Sequence, residues 1–245
     1  VIAVPTTAGT GSEVTPFATV WDSVIKKKYS LTGSQVFPHL AFLDPMLTLS
    51  LPRETTIVTG LDTISHAFES IWNRNAKSFT ILLATEALRI GMSTLASLPD
   101  ALNDIGLRSK MLWASTLAGL AISQTRTALA HSISYPLTIH LGVPHGLACS
   151  FTLPAILRFN AEVDDGRLGR LALDLGFSSV ESLYESVISL FRRLEVGGML
   201  DDYVERPEQL KVLVNEMQTK TRASNNMRKV SLEQINDIIL QEPYW

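Results

Sequence analysis

Residues Thr55–Asn73 read "TTIVTGLDTISHAFESIWN" and, taken as a helix, open an all-helical body. On such a helix Asp62 and His66 lie four residues apart, one turn above the other on a single face. That spacing suits two ligands of one metal ion on a rigid element. The alternative is a capping aspartate beside a core histidine.

The texture changes just before this stretch. "VIAVP" (Val1–Pro5), "VTPFATVW" (Val14–Trp21), "KKKYSLTG" (Lys26–Gly33) and "HLAFLDP" (His39–Pro45) are short, β-like and punctuated by Gly and Pro. From Pro52 onward the signals are helical. Ser178 with Glu181 reads as a capping box, followed by Leu183, Val187, Leu190 and Leu194 at helical spacing, with Gly197 and Gly198 as the stop. Pro207 sits in the first turn of another helix. Ser231 and Gln234 cap a last one, with Leu232, Ile235, Ile238 and Ile239 on one face. The expected fold is mainly α, with a β-rich head over residues 1–50 and a helical body over 51–245.

With 245 residues and 46% hydrophobic content, the chain can bury a sizeable core. A net charge of −3 and a pI near 6.0 give no footprint for nucleic acid or anionic lipid. The apolar run Met111–Ile122 is too short to span a bilayer and reads as a buried helix. One cysteine, Cys149, excludes an intramolecular disulfide; its apolar neighbours predict a buried thiol and a cytoplasmic setting.

"WASTLAGLAISQTRTALAHSISYP" (Trp113–Pro136) reads as a second helix. Its stripe of Leu117, Leu120, Gln124, Ala128, His131 and Tyr135 runs from apolar to polar, and Pro136 stops it. His145 follows Pro144 at the start of the next segment, with Gly146 leaving room beside it. Asp62, His66, His131 and His145 together make a set of three imidazoles and one carboxylate, which suits Zn(II) or Fe(II). His140 and His39 carry no spacing argument and read as structural.

These residues resemble the iron-containing alcohol dehydrogenase family. "PTTAGTGSEVT" (Pro5–Thr15) is similar to its cofactor loop, "TGLDTISHAFES" (Thr59–Ser70) to its first metal motif, and "HSISYPLTIHLGVPHG" (His131–Gly146) to the interval between its last two histidine ligands. "NNMRKVSLEQINDII" (Asn225–Ile239) resembles its C-terminal end. The resemblance implies Asp62, His66, His131 and His145 as metal ligands. It implies Thr6, Thr7, Gly9, Thr10, Lys28 and Leu49 as contacts of NAD(H) or NADP(H). Family members begin with a Rossmann-like domain of about a hundred further residues. The head would then be the C-terminal remnant of an α/β dinucleotide-binding domain.

Two positions depart from the family pattern. Tyr135 stands where many relatives carry a proton-transferring histidine, and Gln124 replaces a common asparagine. The closest-looking branch reduces phosphonoacetaldehyde, and Arg126 would offer its guanidinium to such an anion, with Gln124 beside it. The expected activity is a metal-dependent, NAD(P)-linked alcohol dehydrogenase or aldehyde reductase acting on a small molecule, with pairing into a homodimer as an expectation. Two other readings are a zinc enzyme of the glycerol-dehydrogenase type and a member that binds metal without turnover.

Overall fold

The computed structural model describes residues 1–241 apart from Ser23, Lys26 and Lys220; the side chains of Trp21, Lys27 and Lys28 also lie outside the described set. Four short strands come first: β1 (Ile2–Ala3), β2 (Phe17–Asp22), β3 (Lys27–Thr32) and β4 (Leu40–Ala41), one in each β-like segment. β1 and β4 pair in parallel. β2 and β3 form an antiparallel hairpin that sets Phe17 opposite Thr32 and Thr19 opposite Ser30.

The body is built on α1 (Arg53–Ile71), α2 (Ser78–Leu95) and α3 (Ile105–Thr125), which pack on one another. α1 is enclosed on every side. Ile57, Leu61, Ile64, Phe68 and Ile71 are buried, and so are Asp62, Thr63, Ser65, His66, Glu69 and Ser70. A helix buried all round must find a partner for each polar side chain it carries, because an unpaired group there costs its full desolvation. Asp62 is therefore no cap: it sits mid-helix. The segment Ser78–Asp100 is long and apolar enough, by length and composition, to cross a membrane. Here α2 lies against α1 and α3.

The expected second helix is two. α3 ends at Thr125, Arg126 takes a positive φ of 62°, and α4 covers Leu129–Pro136. Neither Gly nor Pro marks the break. Side chains impose it by taking over the backbone bonds: Asn73 Nδ2 donates to the Arg126 carbonyl at 3.0 Å, and the Ala128 N–H donates to Glu69 at 2.7 Å. The stripe from Leu117 to Tyr135 is accordingly not continuous, and Gln124 is exposed. Pro136 ends the α-helical bonding without stopping the coil. A π-helical turn follows over Leu137–Leu141 and closes on Gly142, at φ 73°.

The rest packs as shorter helices: α5 (His145–Ala148), α6 (Leu153–Ala161), α7 (Arg167–Asp174), α8 (Val180–Arg193), α9 (Val196–Asp201), α10 (Glu208–Lys211), α11 (Val214–Met217) and α12 (Leu232–Leu240). The apolar stripe of α8 is buried as read, but its capping box is Ser179 with Ser182, one residue later than Ser178 with Glu181. α8 stops at Arg193, and Gly197 and Gly198 fall inside α9; the break lies at Glu195, in the left-handed region at φ 58°. The Pro207 helix is split into α10 and α11, with Pro207 as the cap of the first. The Ser231–Gln234 box forms, and Ile235, Ile238 and Ile239 are buried while Leu232 stays exposed.

The C-terminal segment closes against the end of α1. Met227 N–H donates to the Trp72 carbonyl at 2.8 Å, and Arg74 N–H to that of Asn225 at 2.7 Å. Asn160 and Asn226 exchange amide hydrogen bonds at 2.8 and 3.1 Å in the interior.

Candidate metal centre

α1 supplies Asp62 and His66, α4 supplies His131, and α5 supplies His145 as its first residue after Pro144. The Asp62 carboxylate is the hub. Its Oδ1 lies 3.5 Å from His66 Nε2 and 3.5 Å from His131 Nε2. The His66 and His131 rings stack at 4.7 Å, and His145 meets His131 edge-on at 5.2 Å.

Gly146 decides how His145 arrives. A Cβ on it would sit 2.0 Å from the Val58 carbonyl oxygen and 3.1 Å from Asp62 Cβ. The absent side chain thus lets α5 lie against the backbone of α1, rather than opening space beside the imidazole.

Glu69 lies on the same face of α1, two turns after Asp62, and is wholly buried. His131 Nδ1–H donates to its Oε2 at 2.8 Å, and the His131 backbone N–H donates to Oε1 at 3.2 Å. These bonds fix the ring so that Nε2 faces Asp62. That Nε2 is buried without a hydrogen-bond partner among the described residues.

The electrostatics follow from burial. Desolvation works against an ionised Asp62, but His66 and the other imidazoles hold its carboxyl well below the usual range. Burial likewise opposes Glu69, and His131 overcomes it, so this carboxyl is also depressed. Burial depresses His66, which keeps it neutral as a ligand should be. For His131 burial is outweighed by Cys149, Glu69 and Asp62, and its pKa is raised.

Cys149 was read from sequence only as a buried thiol. It sits within the cluster: its Sγ–H donates to Asp62 Oδ1 at 3.2 Å. Donor atoms of Asp62, His131, His145 and Cys149 all lie within 4.8 Å of one another. Burial, then Asp62, pushes the thiol up to about 12. A buried nitrogen aimed at a carboxylate, with two further imidazoles beside it, is a donor set that would fit a divalent cation.

Tyr135 stacks on His145 at 6.4 Å and hydrogen-bonds Thr127. Burial, opposed by Arg222 and reinforced by Glu69, pushes its phenol up to about 12, so it holds its proton through the neutral range. The Arg222 guanidinium covers the Tyr135 ring at 4.6 Å.

The Pro5–Thr15 loop is anchored to the same helices. Thr63 Oγ1 donates to the Gly9 carbonyl at 3.4 Å, and a Cβ on Gly9 would meet Thr59 at 2.8 Å. Gly11, at φ 60°, rests backbone-to-backbone on Gly119 of α3, while Thr116 donates to the buried Glu13 at 2.9 Å. Thr6 and Thr10 are exposed and Thr7 and Leu49 half-buried, so this loop can present its donors to a ligand. The Lys28 side chain lies outside the described residues. Gln124 bonds its neighbour Ser123 at 3.3 Å, and the exposed Arg126 points to Phe17, 5.9 Å from the ring. His140 pairs with Glu216 at 2.9 Å, and His39 is exposed at the sheet.

The sequence reading singles out neither Glu69 nor Arg222, and gives Cys149 no place in the cluster. The i, i+4, i+7 spacing of Asp62, His66 and Glu69 was a usable signal; Arg222, far along the chain, offered none.

The family model described as "Fe-containing alcohol dehydrogenase family, C-terminal" matches residues 56–242, and that for iron-containing alcohol dehydrogenase matches residues 1–45. The phosphonoacetaldehyde reductase of Streptomyces viridochromogenes is 40% identical over 68% of this chain and 42% of its own length. The 1-propanol dehydrogenase of Salmonella typhimurium is 39% identical over 74% of this chain and 50% of its own. The crystal structure of sulfoacetaldehyde reductase from Bifidobacterium kashiwanohense in complex with NAD+ superimposes with a TM-score of 0.90 at 32% identity. That match covers 97% of this chain and 63% of the other. The chain thus spans half or less of these two curated relatives.

Proposed function

The chain belongs to the iron-containing alcohol dehydrogenase family, and from that membership we propose that it interconverts a small alcohol and its aldehyde with NAD(H). We assign Asp62, His66, His131 and His145 to a divalent metal, iron or zinc. The observation that carries this reading is the orphaned, buried Nε2 of His131, oriented by Glu69 toward Asp62 and flanked by two further imidazoles.

When bound, the metal supplies a Lewis acid for the substrate oxygen and the nicotinamide a hydride donor or acceptor. The protein's residues do the rest. One carboxylate and three neutral imidazoles leave a divalent ion with a single net positive charge, which favours an anionic oxygen beside it. Tyr135, protonated and bonded to Thr127, stands at the mouth as a hydrogen-bond donor rather than a base. The Pro5–Thr15 loop, held by Thr59 and Thr63 one turn from the ligands, would seat the cofactor through Thr6, Thr7, Gly9 and Thr10, with Lys28 and Leu49 as further contacts.

We assign residues 1–50 to a nucleotide-binding unit and 51–245 to the metal-binding one. An aldehyde carrying an acidic group, such as phosphonoacetaldehyde, is the favoured substrate, supported by the names of two relatives. The buried thiol of Cys149, free of any disulfide, agrees with a cytoplasmic setting. The test is anaerobic metal analysis together with NADH and NADPH oxidation against propanal and phosphonoacetaldehyde. A chain that retains no stoichiometric iron or zinc and reduces neither aldehyde refutes the reading.

A further inference from the structure

Several surface arginines lie on a carboxylate, among them Arg158 on Glu181, Arg167 on Asp165, Arg193 on Asp100 and Arg228 on Glu162. Arg126 and Arg222 have no such partner among the described residues. Arg222 is half-buried; its Nε donates to Thr127 Oγ1 at 3.2 Å and its Nη2 reaches Ser30 Oγ at 3.5 Å. A guanidinium carries five N–H donors, so most of this fork is unused among the described residues.

The two arginines come from distant parts of the chain and meet one surface. Arg126 directly precedes Thr127, and its guanidinium lies over Phe17. Phe17 and Thr19 project from one face of β2, and Ser30, opposite Thr19, projects from that same face. Phe17 and Ser30 are therefore diagonal cross-strand neighbours, about 7–8 Å apart. Both cations are thus gathered between this hairpin face and the start of α4. From there Arg222 covers Tyr135, which stacks on His145. Arg222, one ring removed from His145, and Arg126 at the hairpin are thus two cations without a carboxylate partner among the described residues, in a chain of net charge −3.

The backbone is bent at Arg126. Arg126 holds φ 62°, which a residue with a side chain rarely adopts, and its carbonyl is fastened by Asn73 Nδ2 and by Thr125 Oγ1, each at 3.0 Å.

We propose that Arg222, supported by Arg126 across Thr127, is the subsite for an acidic oxyanion at the far end of the substrate, so that the preferred substrates are short aldehydes or alcohols ending in phosphonate, sulfonate or carboxylate. The inference rests on the dehydrogenase reading above and replaces Arg126 alone with Arg222 as the principal anchor. Its position over Tyr135, the ring that stacks on His145, assigns the anion to the substrate; the other source of such chemistry is a cofactor phosphate.

The experiment is calorimetric titration of the metal-loaded chain with phosphonoacetate, a non-reducible probe, alongside a fluorescence titration with NADH. Arg222→Leu weakens phosphonoacetate binding by about tenfold or more, Arg126→Leu by less, and Arg222→Lys falls between native and Arg222→Leu. Metal content, NADH affinity and melting midpoint stay at native values. Unchanged phosphonoacetate affinity in Arg222→Leu overturns the proposal, as does an equal loss of NADH affinity, which would assign the arginine to the cofactor. Should Arg222→Leu fail to fold, Arg222→Lys decides, and native-like affinity there overturns it. A native chain that reduces propanal but does not bind phosphonoacetate loses the anion subsite and keeps the dehydrogenase reading. Arg222-dependent binding without aldehyde reduction does the reverse.

Discussion

Glu69 and His131 are joined twice, through the ring nitrogen at 2.8 Å and the backbone N–H at 3.2 Å, in a wholly buried contact between α1 and α4. The side-chain bond sets the tautomer; the backbone bond sets where the helix starts. One carboxylate thus determines both the position of an imidazole and which nitrogen it offers.

Glu69→Gln should therefore lower metal affinity by about 10–100-fold while the fold persists, because an amide cannot accept both bonds as strongly. Chelator competition measures the affinity, and the absorption bands of the cobalt-substituted protein should shift as His131 loses its orientation. An unaltered cobalt spectrum with native affinity would remove Glu69 from this role.

His66 and Cys149 are the two candidates for a fourth ligand: both reach Asp62 Oδ1, and Cys149 is the one that joins the group of Asp62, His131 and His145 within 4.8 Å. The thiol is held protonated by burial, whereas His66 is held neutral. Cys149→Ser is expected to retain stoichiometric metal and His66→Ala to lose it, read by elemental analysis after gel filtration. The opposite pattern exchanges the two assignments.

Metal uptake should depend on pH through His131. Burial opposes its charge, but Cys149, Glu69 and Asp62 raise its pKa, so a proton competes with a cation for this imidazole. A cation binding at Nε2 must displace that proton. Apparent affinity then rises by about tenfold per pH unit as pH increases, and levels off above the pKa of the metal-free imidazole. A flat profile between about pH 6 and 8 would contradict it.

Gly146→Ala places a methyl 2.0 Å from the Val58 carbonyl, against backbone that cannot step aside. A loss of about 3 kcal/mol or more is expected, seen as a lower denaturant midpoint, together with weaker metal binding as His145 is pushed away from Asp62. Native stability would show that α1 and α5 can separate there.

That Asp62, His66, His131 and His145 come near one another was legible because helical spacing and proline positions are local properties. Asp62 and His66 need only 3.6 residues per turn, and His145 needs only Pro144 before it. The break between α3 and α4 was not legible, since it is imposed by Asn73 and Glu69, which lie more than fifty residues away. Gly146 was noticed for the wrong reason: its lack of a side chain serves backbone contact with Val58, which only the packed structure reveals. Arg222 was invisible for the same reason, its neighbours Thr127, Ser30 and Tyr135 all being distant in sequence.

Thr59 and Thr63 of α1 hold the glycine loop, while Asp62 and His66 of the same helix meet in the candidate metal cluster. α1 therefore works as a gauge between the two halves of the chemistry, with an offset of about one 5.4 Å pitch that no loop movement can alter. Inserting a single residue between Thr59 and Asp62 would swing the ligands by about 100° relative to the loop. Divergence within such a scaffold must then occur around the gauge, in the hairpin, the Arg126 bend and the Arg222 segment, where partners can change without disturbing the calibration.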